Sequence, residues 1–165
     1  MAGGLIYSYG NSDVAPYSEQ FYVGGANSIR AFTIRSLGPG SYHPAADNKY
    51  AYIDQTGDIR LEANMEYRFR IIQDLHGAVF MDAGNVWLLR EDATRPGGRF
   101  QWKGLADEIA VGTGAGLRYD LSFLVIRVDC GVALHLPYTT SRKGYYNIPK
   151  FKDGLGWHLA IGYPF

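Results

Sequence analysis

Across residues 58–72, hydrophobic and polar residues alternate at every step. Asp58, Arg60, Glu62, Asn64, Glu66, Arg68 and Arg70 fall on one parity, and Ile59, Leu61, Ala63, Met65, Tyr67, Phe69 and Ile71 on the other. A period of two sends successive side chains to opposite faces of a strand, so one face is apolar and the other almost entirely charged. Strands of soluble proteins are usually about 5–6 residues long. A run more than twice that length fits a transmembrane β-strand, with its apolar face in lipid and its polar face towards a wet lumen.

The same alternation returns along the chain. Leu75, Val79, Met81 and Trp87 oppose His76, Asp82 and Gly84; Ile109, Val111, Ala115, Leu117, Tyr119 and Leu121 oppose Gly112, Gly114, Gly116, Arg118 and Asp120. Ile126, Val128, Cys130, Val132, Leu134 and Leu136 oppose Arg127, Asp129, Gly131 and His135, and Leu155, Trp157, Leu159, Ile161, Tyr163 and Phe165 oppose Gly156, His158, Ala160 and Gly162. The pattern predicts antiparallel strands over 57–72, 75–88, 108–121, 123–138 and 155–165, ordered as a meander, with a partial strand around Leu5, Tyr7 and Tyr9. No segment has helical periodicity.

Connections alternate between tight turns, at 73–74 and 120–123, and long polar segments, at 10–56, 90–107 and 137–154. Short turns at one rim and long loops at the other are the build of outer-membrane barrels, which puts the long loops outside and Phe165 at the periplasmic rim. Aromatics on the apolar parity sort by depth. Trp87, Tyr138 and Trp157 fall at the long-loop ends of their strands, and Tyr67, Phe69, Tyr119, Tyr163 and Phe165 at the short-turn ends. These are expected to form two girdles at headgroup level.

Composition narrows the field. The 165 residues suit one domain, and a formal charge of zero supplies no electrostatic reason for nucleic acid binding. No apolar run approaches the roughly 18 residues of a spanning helix. Met1-Ala2-Gly3-Gly4 has neither the basic start nor the apolar core of a signal peptide. The fold class expected is therefore all-β, an antiparallel transmembrane β-barrel present as a fragment of about five to six meander strands, because single-chain bacterial barrels begin at about eight. Closure by edge-to-edge pairing of several copies stands as the other possibility.

Enzyme chemistry has little purchase. Gly112-Thr113-Gly114-Ala115-Gly116 has the look of a phosphate-binding turn, but it falls inside a strand with no helix after it, and small residues facing a crowded lumen account for it. His43, His76, His135 and His158 lack metal-ligand spacing. Cys130 is expected to face lipid, and no Ser-His-Asp or Cys-His grouping is legible. No catalytic residue, metal or cofactor is expected.

The long first connection carries a resemblance. Phe21-Tyr22-Val23-Gly24-Gly25-Ala26-Asn27-Ser28-Ile29-Arg30-Ala31-Phe32, followed by Arg35-Ser36-Leu37-Gly38-Pro39-Gly40, resembles the sixth extracellular loop of the BamA/TamA insertase family. That loop carries Gly-Gly (here Gly24 and Gly25) and then an Arg-Gly-aromatic core after a β-branched residue (here Ile29, Arg30, Ala31 and Phe32). Met65-Glu66-Tyr67 and Phe80-Met81-Asp82-Ala83-Gly84-Asn85-Val86-Trp87 resemble the family's next two strands, in the family's order. The tail, through Gly162, Tyr163 and Phe165, resembles the C-terminal strand signal of outer-membrane proteins, with Pro164 lacking one N–H for the ladder.

The resemblance implies that 1–165 is the C-terminal portion of an outer-membrane barrel, with 10–56 as an extracellular loop folded into the lumen and 57–165 as the last five strands. It implies a clasp in which Arg30 meets Asp82, with Glu66 as second carboxylate. A guanidinium forks onto carboxylates in a way Lys does not. From the residues alone, all three are also ordinary solvated lumen charges, which are usually worth little. Ala31 stands where the family usually has Gly, so either an ordinary backbone turn or a slightly different seating of the tip is expected there. The implied function is assembly of other proteins into the bacterial outer membrane. The implied partners are the lipid bilayer, unfolded client outer-membrane proteins and periplasmic accessory proteins or domains. A two-partner secretion transporter of the same superfamily and a passive porin-like or structural barrel remain as alternatives.

Overall fold

The computed structural model describes residues 1–8, 16, 18–44 and 51–162. One six-stranded antiparallel sheet runs in sequence order through β1 (Ala2–Leu5), β2 (Ile59–Ile72), β3 (Leu75–Trp87), β4 (Ala110–Asp120), β5 (Val125–His135) and β6 (Leu155–Ile161). The strands begin and end within a few residues of where the alternation does, and each pairs with its neighbour as a meander. The opening strand lies slightly earlier than the Leu5–Tyr7–Tyr9 pattern suggests, and Tyr9 is outside the described residues. Single turns of helix at Ala51–Asp54 (α1), Leu105–Glu108 and Phe151–Gly154 punctuate the long connections. They are too short to leave a periodic signature.

The two faces of the sheet differ as the parity demands. Met65, Val79, Val128 and Leu159 are exposed on the outer face, at 75%, 47%, 42% and 75%. On the inner face Asp82, Arg127 and Asp129 are fully buried. A water-soluble sheet would have the reverse arrangement, since apolar area gains about 25 cal/mol per Å² by leaving water. Burial of the inner face comes from the first long connection, which folds back across it. Val23, Ile29, Ala31, Phe32 and Leu37 from that loop pack with Val86, Ala110, Ala133 and Ile148 into the apolar core.

The aromatic girdles are only partly as the pattern suggests. Tyr67, Phe69, Tyr119 and Trp157 are exposed on the outer face, while Tyr163 and Phe165 lie outside the described residues. Trp87 is not exposed at all: the 88–108 connection folds over it, Phe100 packs edge-on at 5.6 Å, and its indole N–H donates to Glu108 Oε2 at 2.6 Å. Trp102, edge-on to Phe100 at 5.1 Å, is 82% exposed. Tyr138 lies beyond the end of β5, half-buried and stacked on His43 at 4.0 Å. Alternation places a side chain on a face of the sheet but carries no information about a loop that returns to cover it.

Candidate functional site

The loop reaching the inner face is a narrow hairpin-like excursion. Gly25 N–H donates to Phe32 O at 2.8 Å and Arg35 N–H to Val23 O at 3.0 Å, which leaves Ala26–Ala31 as the tip. Gly24 (φ 97°) and Gly25 (φ 94°) both take left-handed backbone, and a Cβ on Gly24 would collide with the carbonyl of Thr33. Ser28 Oγ accepts from Gly24 N–H at 3.0 Å and closes the tip. Ala31 has no positive φ, so the turn at that position is ordinary backbone. The closeness falls on the sheet instead. A Cβ on Gly131 would lie 2.5 Å from Arg30 O and 2.7 Å from Ala31 Cα, and one on Gly112 would strike Ala31 Cβ. Gly114 leaves room for the Phe80 ring, and Gly116 for the Arg118 and Asp129 side chains.

Arg30, wholly buried, lies over this bed with its guanidinium 3.6 Å from the Phe80 ring centroid. Its Nε donates to Asp82 Oδ2 at 2.8 Å and its Nη2 to Asp82 Oδ1 at 2.9 Å, a two-point fork, and its backbone N–H adds a third bond to Oδ2 at 3.0 Å. Its Nη1 donates to Glu66 Oε2. Asn64 Nδ2 bridges Asp82 Oδ1 at 3.1 Å and Ser28 O at 2.9 Å, tying the same carboxylate to the tip. Arg30, Glu66 and Asp82 are thus brought together, on loop, β2 and β3 respectively.

The cluster extends to residues for which the sequence indicates only a face. Arg118 Nη2 donates to Glu66 Oε2 at 2.9 Å, and its Nη1 to Asp129 Oδ1 at 2.5 Å. Arg127 Nη2 reaches the loop tip, donating to Asn27 Oδ1 at 2.5 Å and Ala26 O at 3.3 Å, while Arg127 Nη1 stands 3.9 Å from Asp129. Arg68 Nε donates to Glu66 Oε1 at 2.5 Å. The loop is therefore held from two sides, by carboxylates on β2–β3 and by a guanidinium on β5. The signal available in the sequence was charge on the inner parity of β4 and β5 beside the 112–116 glycines. At the far edge, Gly162 (φ 96°) ends β6 with its N–H donating to Val125 O at 2.7 Å.

Chemically this arrangement can brace and position. Among the described residues no three His, Cys, Asp or Glu side chains are grouped to hold a metal, and no helix is long and apolar enough to cross a membrane, which leaves crossing by strands open. A comparison with family models matches the Omp85 superfamily domain over residues 1–165.

Proposed function

Because the chain belongs to the Omp85 superfamily, we propose that it forms the seam side of a bacterial outer-membrane barrel that assembles client β-barrel proteins, with the Arg30 loop as its internal brace. The observation that carries this reading is the fork of a fully buried Arg30 onto Asp82 with Glu66 beside it, at the tip of a loop that fills the inner face. Breaking a buried ion pair from one side costs about 3–5 kcal/mol, because a carboxylate is left without its counter-ion. Such a pair can therefore hold a long loop in one place. A porin-like channel needs a water-filled lumen, and the apolar packing of Val23, Ile29 and Leu37 under the sheet speaks against that alternative.

In this reading the free edge of β6 is where a client strand pairs, since an unpaired backbone edge in lipid costs several kcal/mol per group and recruits a partner. Client chains, the bilayer and periplasmic accessory domains are the partners. The test is made in the whole protein as the cell produces it. Arg30→Ala is expected to reduce client assembly and the heat-modifiable folded fraction, and Arg30→Lys to restore them only in part, because an ammonium cannot make the fork. Wild-type behaviour of Arg30→Ala in both assays overturns the brace. Export of an unfolded chain without client insertion assigns the protein to the secretion branch of the superfamily.

A further inference from the structure

We propose that Lys150, Phe151 and Lys152 form a seat for the phosphate-bearing headgroup of an anionic outer-leaflet lipid. The inference rests on the outer-membrane reading with long connections outward. All five lysines of the chain fall in the long polar connections of the sequence, and among the described residues none lies in a strand. The excess is local. Residues 88–108 carry Arg90, Arg95, Arg99 and Lys103 against Glu91, Asp92, Asp107 and Glu108, whereas 137–154 carry Arg142, Lys143, Lys150 and Lys152 against Asp153 alone. Among the described residues no salt bridge engages Lys150 or Lys152. Between them Phe151 is 59% exposed at the start of the Phe151–Gly154 turn, which runs directly into β6. Leu155 and Trp157, 36% and 71% exposed, then open the apolar outer face. Two lysines therefore flank an exposed ring in sequence, six residues before the lipid-facing Trp157. An aromatic at headgroup level and long amine side chains reaching phosphate are the elements of an anionic-lipid contact.

The test uses the whole protein in vesicles of phosphatidylcholine mixed with phosphatidylglycerol, one or the other brominated. Quenching is read as the difference between wild type and Trp157→Phe, which isolates lipid at that position. Wild type is expected to prefer phosphatidylglycerol, and K150Q/K152Q to lose roughly fivefold of that preference per lysine removed. High salt should do the same to wild type, while Lys103→Gln leaves the preference intact. Equal preference in wild type and K150Q/K152Q, with both heat-modifiable, overturns the seat. So does a preference that survives high salt. Failure of wild type to enter either vesicle in heat-modifiable form would instead overturn the membrane reading itself.

Discussion

Arg127 is the residue whose removal separates the two sides of the brace. Its guanidinium is the contact from β5 to the loop tip, at Asn27 and Ala26, and it plays no part in the fork on Asp82. Hydrogen bonds to charged groups are worth about 1.5–3 kcal/mol, so Arg127→Ala should loosen the tip without releasing Arg30. Amide exchange at residues 26–28 checks this: faster exchange there with unchanged exchange at Arg30 is the expected outcome. At the long-connection end of β3, burial pushes the Glu108 carboxyl above its ordinary value, even though the Trp87 N–H stabilises its charge. As pH falls through that raised value the indole loses an anionic acceptor. Trp87 emission should therefore shift with a midpoint above the usual glutamate value, and Glu108→Gln should abolish the shift.

Among the elements, strand extents were legible because alternation runs nearly the full length of each strand. The 58–72 pattern becomes β2 at Ile59–Ile72, and the inward parity of Glu66 and Asp82 follows from counting by two. The Glu66–Arg118–Asp129 chain was not legible. It depends on which residues stand opposite across strands, as Arg118 does to Arg127, and that register is set by turn geometry. Covering of Trp87 by the 88–108 connection, and of Tyr138 by His43, likewise needs the path of a loop. Ala31 is instructive, because the space a glycine there would have offered is supplied by Gly112 and Gly131 on the opposing strands. Gly131→Ala should then force the tip away from β5, at the roughly 1–3 kcal/mol typical of overpacking. Ala115→Val, on the outer face, should stay within about 0.5 kcal/mol. Thermal loss of heat-modifiability distinguishes the two, and equal melting of both variants would contradict the bed described for the tip.

For the whole molecule, the loop connects parts of the sheet that the ladder alone joins only through successive neighbours. Its tip is fixed to β2 and β3 through Asp82 and Glu66, and to β5 through Arg127, while a Cβ on Gly156 of β6 would lie 3.3 Å from the carbonyls of Arg30 and Ala31. The six strands among the described residues are fewer than the smallest single-chain barrels use, so both edges of this sheet need partners in lipid. In the function proposed above, such a brace would keep β5 and β6 in place while a client strand pairs at the edge of β6 away from β5. The most direct test is a double-mutant cycle in the whole protein, combining Arg30→Ala with Asp82→Ala and reading client assembly. Residues that act as one contact lose it once. The double variant should then be no more impaired than the more impaired single variant. Additive losses would mean that Arg30 and Asp82 act separately, and would contradict the brace.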